Sequence, residues 1–402
     1  MTKQNLQTPK GFRDFLPEAA RKRQFVLGKL IAEFEAFGFE PLETPALEYA
    51  EILKGKYGEE EKLIYEFEDR GGRQVALRYD QTVPLARVIA SYQELTKPFK
   101  RYQTQTVWRA DNTQAGRYRE FLQVDIDIVG TTSILADAEV ILCVASVLTK
   151  IGFERFTIKI NDRKIFSALP KPVVTALDKL DKIGEVSVIE QIKKQGFNQR
   201  SAEETLEKIQ GAAPTETINK LFDILSSAGV PSDKFAFVPT LARGLDYYTG
   251  AIFEIEIDGY KAGSVGGGGR YDNLIGTFGK ETVPAVGISF GFDRLLEAAE
   301  EAELLPKEAS KTQVLVTVFE PKLLSNSLDL ATNLRKRGIN TEIYLDPNAK
   351  LDKQLKYADQ KKIPFVALLG PSEIKEEKIT LKDFATQKQE SLTFSALVKK
   401  LS

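Results

Sequence analysis

The chain has no histidine, and only one cysteine, one methionine and one tryptophan among its 402 residues. The missing imidazole excludes zinc sites with His ligands, a Ser-His-Asp triad and a histidine general base. Cys143 stands alone, so neither an internal disulfide nor a cysteine cluster can form. No apolar run is long enough to span a bilayer, and the opening MTKQNLQTPK carries no signal-peptide core. A cytoplasmic protein is expected, one whose chemistry rests on carboxylates, arginines, lysines, tyrosines, backbone amides or a bound cation.

Charged residues make up 28% and apolar ones 42%, ordinary proportions for a soluble globular chain, and the length allows two or three domains. Charge is unevenly spread. Lys311 to Ser402 holds sixteen Lys and Arg against eleven Asp and Glu, whereas the whole chain sums to −1. A basic terminal segment on an acidic body is compatible with a polyanionic partner.

The stretch FKRYQTQTVWRADNTQAGRYREFLQVDIDIVG, Phe99 to Gly130, shows two alternating runs around a polar loop, the pattern of an antiparallel hairpin. Arg109 precedes the loop, and Arg117 and Arg119 follow it. On the returning run Phe121, Gln123, Asp125 and Asp127 recur at every second position and therefore share one face. Guanidinium groups can grip phosphate oxygens bidentately, and carboxylates further along the same face can hold an amine or an imidazole N–H. An ordinary solvated strand face would carry the same residues.

Before the hairpin, GFRDFLP (Gly11 to Pro17) leads into a helix whose stripe is Val26, Leu27, Leu30, Ile31, Phe34 and Phe37, with Gly38 as its stop. Phe39 to Leu47, with two prolines, reads as an edge or interface strand. Tyr65 to Phe67 and Val75 to Tyr79 read as a strand pair. Asp80 or Thr82 could cap the helix Leu85 to Tyr92. After the hairpin, Ala136 to Ile151 is an apolar helix and Phe156 to Asn161 a strand, and Lys171 to about Ser232 is helical and charged.

Strand signals return at Phe235. LARGLDYYTGAIFEIEI (Leu241 to Ile257) runs from a polar turn into an alternating strand. In SVGGGGRY (Ser264 to Tyr271) four glycines permit either close approach of backbone or tight turning. PAVGISFGFDRL then sets the strand Ala285 to Phe290 directly before a helix carrying Arg294. Beyond a polar linker, Ala302 to Lys311, strands Val314–Val318, Thr341–Leu345 and Phe365–Leu369 alternate with helices Ser325–Arg337 and Asp352–Lys361. That is an α/β unit with a parallel or mixed sheet.

Taken together, GFRDFLP with its helix, the hairpin, PAVGISFGFDRL and ARGLDYYTG resemble, in that order, the three class II motifs and the specificity peptide of the histidyl-tRNA synthetase family. The resemblance implies an α+β catalytic domain with the class II antiparallel sheet, a helical insertion, and a C-terminal α/β anticodon-binding domain. Its boundaries would be residues 1–170 and 235–305 for the catalytic domain, 171–234 for the insertion and 312–402 for the anticodon-binding domain.

It also implies roles. Arg109 matches the grip on the ATP α-phosphate and the amino-acid carboxylate. Asp111 stands where the family more often has Glu near the adenylate. Arg117 and Arg294 match the outer-phosphate positions, and Phe121 the ring on adenine. Asp80, Thr82 and Gln123 fall on the α-amino side, Gln81 between them is counted with the substrate-binding residues, and Asp127, Tyr247 and Tyr248 fall at the imidazole. Arg243 matches a cation at the α-phosphate, Tyr271 closes the pocket, and Gln114 matches a contact near the first tRNA base pair. The implied partners are L-histidine, ATP with Mg²⁺, histidine tRNA and a second copy of the chain, with no membrane. The competing reading is a regulatory paralogue that keeps the fold without aminoacylation. Such paralogues typically lose the specificity peptide and the basic C-terminal domain, and both are present here.

Overall fold

A computed structural model describes residues 6–113, 116–243, 247–279, 281–306 and 310–402. The chain divides into two compact units, Met1–Leu305 and Pro306–Ser402.

In the first unit, helix Pro17–Ala36 starts on a proline, whose fixed φ and missing N–H suit a first turn. It stops at Gly38, whose φ of +75° lies in the left-handed region. Val26, Leu30 and Phe34 are buried, and Leu27, Ile31 and Phe37 pack against the same core. Strand β1 is only Glu40–Pro41, because Pro41 and Pro45 cannot donate to a ladder. Strands β2 (Leu47–Tyr49), β3 (Glu66–Glu68) and β4 (Gln74–Leu77) form a small antiparallel sheet in the order β2-β4-β3. The next helix, Thr82–Ser91, begins ahead of the expected Leu85. The Val83 N–H donates to Asp80 Oδ1 at 3.1 Å and organises its first turn.

The hairpin is β5 (Phe99–Trp108) and β6 (Glu120–Val129), paired antiparallel so that Arg101 faces Asp127 and Gln105 faces Gln123. Strands β7 (Phe156–Asp162), β8 (Phe235–Phe237), β9 (Ala251–Ile257), β10 (Gly266–Arg270) and β11 (Ala285–Gly291) complete an eight-stranded sheet. Its order is β1-β5-β6-β11-β10-β9-β7-β8, antiparallel throughout except for parallel β1 and β8 at the edges. The glycine run is thus strand rather than turn.

Alternation on β6 sends Val124, Ile126 and Ile128 into the main core, where helices Pro17–Ala36, Ile134–Ile151 and Phe292–Glu301 bury their apolar residues. Gln123, Asp125 and Asp127 point to the opposite face and are also buried. The span expected as an insertion holds helices Lys171–Leu177, Leu180–Lys193, Gln199–Gln210 and Glu216–Ser227, and Ile218, Leu221 and Leu225 of the last pack into the main core. Among the described residues no helix is long and apolar enough to cross a membrane.

The second unit has its own sheet. Strands β12 (Val314–Val316), β13 (Thr341–Ile343) and β14 (Phe365–Leu368) run parallel, and β15 (Ile379–Asp383) and β16 (Gln389–Leu392) add an antiparallel edge in the order β13-β12-β14-β15-β16. Helices Leu324–Lys336 and Leu351–Gln360 link the parallel strands, and Phe394–Leu401 closes the chain. The βαβαβ pattern read from the sequence is present, and the terminal hairpin and helix extend it. Val316, Leu334, Ala367 and Leu397 share a core within this unit.

Candidate active site

A cavity of about 380 Å³ lies over the polar face of β6. Asp80, Thr82, Arg109, Asp111, Arg117, Phe121, Gln123, Asp127, Arg243, Tyr247, Tyr248, Tyr271 and Arg294 all line it. Gln81 does not. Its amide Nε2 donates to the Gln105 carbonyl at 2.9 Å and to the Gln123 carbonyl at 2.8 Å, so it braces β5 and β6 instead. Gln114 lies outside the described residues, as do residues 244–246 of the specificity peptide.

Arginines gather at one end. The Arg109 guanidinium lies 4.3 Å from the Tyr79 ring and 5.3 Å from that of Phe121, and its Nε donates to the Tyr79 carbonyl at 3.1 Å. This packing aims a cation along the sheet face. Arg117 and Asp111 form a bidentate pair, both contacts 2.9 Å. Arg294 donates to the Gly116 carbonyl at 3.4 Å and the Ser264 carbonyl at 3.2 Å, which ties the start of helix Phe292–Glu301 to the hairpin loop.

Arg243 has a φ of +48°, unusual for a side-chain-bearing residue, and its Nη1 lies 3.2 Å from Glu254 Oε2 on β9. A Cβ added at Gly267 would come within 1.6 Å of that Nη1. The glycine is what leaves room for the guanidinium.

Carboxylates and tyrosines gather at the other end. Asp127 Oδ2 lies 2.7 Å from Nη2 of Arg101, which is fully buried, and Asp127 Oδ1 accepts from the Tyr271 hydroxyl. Directly opposite on β11 is Gly287, where a Cβ would reach within 1.9 Å of Asp127 Oδ1. Burial raises the Asp127 carboxyl above the usual range, and Arg101 and the Tyr271 hydroxyl oppose that rise. Asp80 is likewise raised by burial, and its Oδ1 accepts from the Tyr57 hydroxyl at 2.9 Å. The Tyr247 ring lies 4.9 Å from that of Tyr248 and 5.9 Å from that of Tyr271. Burial pushes the Tyr57, Tyr247 and Tyr271 hydroxyls well above their ordinary range, so they stay protonated donors. The result is a box of O–H donors and carboxylate acceptors with aromatic walls.

Several participants escaped the sequence reading. Glu60 holds the Tyr79 hydroxyl at 2.6 Å, from a 3-10 turn with no recognisable signal. Tyr57 and Glu254 carry no local mark either. Arg101 could have been found, because counting along the hairpin from Gln105 opposite Gln123 sets it opposite Asp127.

Asp125 shares the face of Asp127 and lines the cavity at 1% exposure. Burial is the main force pushing its carboxyl up to about 7, with Asp127 adding to the rise and Arg101 opposing it. The folded value lies above the ordinary 3.8, so between roughly pH 4 and 7 the folded chain retains a proton that the unfolded chain has lost. This group's contribution to stability therefore falls as pH rises through that window and is flat above it. Asp125→Asn removes the slope. Relative to the wild type, the variant should gain on the order of 3 kcal/mol between pH 5 and pH 8 in urea unfolding. A difference that stays constant across those pH values would rule the assignment out.

Comparisons with known proteins agree with this geometry. The family model for histidyl-tRNA synthetase matches residues 11–295, and that for an anticodon binding domain matches residues 313–402. The chain is 40% identical to a histidine–tRNA ligase from Cytophaga hutchinsonii, with 98% of each chain covered. It is 41% identical to one from Wolinella succinogenes, with 95% of each covered. The crystal structure of histidyl-tRNA synthetase from Nostoc sp. PCC 7120 superposes with a TM-score of 0.85 at 31% identity, covering 99% of both chains. A class II sheet, its arginine and carboxylate ends, the C-terminal unit and full-length relatives converge: the chain belongs to the histidyl-tRNA synthetase family.

Proposed function

We propose that this protein is a histidine–tRNA ligase that activates L-histidine with ATP and transfers it to the 3′ end of histidine tRNA. The observation that carries the reading is the division of one cavity into an arginine end and a carboxylate–tyrosine end. A triphosphate suits the first, and an amino acid with a polar ring suits the second.

The substrate's own carboxylate, ionised at neutral pH, attacks the α-phosphorus and pyrophosphate leaves, so no general base is required and the lack of histidine in the chain is no obstacle. Alignment and charge stabilisation remain the protein's work. Arg109 and Arg243 approach the α-phosphate, Arg117 and Arg294 the outer phosphates, and Phe121 stacks on adenine. Arg117 leaves Asp111 to do so, or carries it along. Asp80, Thr82 and Gln123 take the α-ammonium, Asp127 and Tyr248 read the two imidazole ring nitrogens, and Tyr247 and Tyr271 wall the ring. Mg²⁺ arrives with ATP and screens its outer phosphates. The tRNA ribose hydroxyl then attacks the adenylate carbonyl, and AMP leaves.

Pyrophosphate exchange with each amino acid supplied singly should respond to histidine alone. Exchange with another amino acid at a comparable rate would refute the specificity, and no exchange with any would favour the regulatory paralogue.

We further propose a cytoplasmic homodimer joined through the Gly11–Pro45 region. Phe15 and Leu16, 40% and 73% exposed, sit at the start of helix Pro17–Ala36 within that region. Light scattering should give twice the 44.9 kDa chain mass. An active species of single-chain mass would sink the proposal.

A further inference from the structure

We propose that Asp125 is a positioning residue for amino-acid recognition: it fixes the Gln123 amide so that the oxygen, not the NH₂ group, faces the substrate's α-ammonium. The inference rests on the reading of Gln123 as an amino-acid contact.

An α-ammonium has only N–H donors, so a glutamine beside it helps when it presents its carbonyl oxygen and hinders when it presents its NH₂. The two ends of an amide are nearly equal in size, and the surrounding hydrogen bonds decide which way it points. Here Gln123 Nε2 donates to Asp125 Oδ2 at 2.9 Å, and Gln123 Oε1 faces Arg109 Nη2 at 3.5 Å. The reversed amide would set oxygen against the Asp125 carboxyl and NH₂ against the Arg109 guanidinium. The contact with Arg109 would then be repulsive, and so would that with Asp125 whenever its carboxyl is ionised.

The two partners differ in permanence. The Arg109 contact is long, and Arg109 is the cation that ATP and the substrate carboxylate would draw away. Asp125 is buried and projects from β6 two residues beyond Gln123, so it remains when substrates enter. Behind it stands Arg101, whose Nη2 is 3.8 Å from Asp125 Oδ2 and 2.7 Å from Asp127 Oδ2. Asp125 accepts from the amide in either protonation state, because a proton can occupy its other oxygen while Oδ2 still accepts.

The test compares steady-state pyrophosphate exchange in the wild type and in Asp125→Ala, Asp125→Asn and Gln123→Ala. Asp125→Ala should raise KM for histidine about tenfold or more, the effect of losing one charge-assisted hydrogen bond. Its kcat and KM for ATP should stay within about threefold. Asp125→Asn keeps an acceptor for Nε2 and should restore most of the histidine KM. Adding Asp125→Ala to Gln123→Ala should raise KM no further. Asp125→Val, which fills similar volume without an acceptor, should reproduce the loss and serves where the alanine variant does not accumulate. An unchanged histidine KM in Gln123→Ala would overturn the reading of Gln123 itself. A raised KM in Gln123→Ala with an unchanged one in Asp125→Ala, or full additivity in the double variant, would overturn the role of Asp125 alone.

Discussion

Arg243→Ala is expected to slow adenylate formation by about 10²–10³-fold while leaving histidine affinity within a few fold, the size seen when one preorganised charge partner of a transition state is removed. Its guanidinium stands over the glycine strand with Glu254 as its only carboxylate contact within ion-pair distance among the described residues. It is therefore aimed at the cavity, where phosphate charge would develop. An interaction made mainly with the transition state lowers rate without loosening the ground-state complex. Gly267→Ala offers an independent route to the same outcome. Its methyl would occupy the space of Arg243 Nη1, the far end of a flexible side chain, so the fold should survive and the guanidinium should move. Single-turnover adenylation and histidine calorimetry on both variants separate rate from binding. Equal losses in the two measurements would remove Arg243 from the chemistry.

The second large effect concerns the C-terminal unit. A chain ending near Pro306 should keep histidine-dependent pyrophosphate exchange and lose most tRNA charging, chiefly through weaker tRNA binding. The first unit carries every described residue of the cavity and its own cores, and the second has a separate one. Three lysines on and after helix Leu351–Gln360 are paired with carboxylates. Lys361 bonds Glu342 at 2.9 Å, Lys353 lies 3.6 Å from Asp346, and Lys362 lies 3.9 Å from Asp359. Exposed pairs of this kind are worth little and can exchange a carboxylate for a phosphate. Filter binding to histidine tRNA, with exchange measured on the same preparation, checks both halves. A folded truncation that charges tRNA as well as the full chain would end the assignment.

How much of this was legible depended on the range of the forces involved. The hairpin declared itself because a two-residue period and a polar loop are local signals, and the helix Pro17–Ala36 did so through its stripe, its proline and its glycine. Two-residue β1 was overestimated, since its pairing with β5 is long-range and prolines limit it. Strands β15 and β16 passed unnoticed because an edge hairpin with a polar outer face reads as charged loop.

At the site, alternation showed that Gln123, Asp125 and Asp127 share a face but could not show that the face is buried. Burial comes from elements far away in sequence: the tyrosines at 247, 248 and 271 and the strand opposite, β11. The supporting groups Glu60, Tyr57 and Glu254 act across such distances, and no pattern along the chain announces them. Gln81 illustrates the converse. A polar residue next to Asp80 looked like a contact and proved to be a brace.

The glycine strand Gly266–Arg270 has a further consequence, in conformational entropy. A floor made of backbone has no rotamers, so it cannot relax around a poorly fitting ligand, and the shape it presents is fixed when the strand joins the ladder. Each glycine held in a strand forgoes roughly 0.5–1 kcal/mol relative to alanine, because the unfolded chain loses more freedom there. Four in a row make β10 a costly strand for stability. Glycine-to-alanine substitution, an ordinary way to stiffen an unfolded chain and raise a melting temperature, is closed at Gly266, Gly268 and Gly269, where the added Cβ would lie 2.9, 2.0 and 2.6 Å from strand carbonyl oxygens. Thermal tolerance in this chain has to be gained elsewhere.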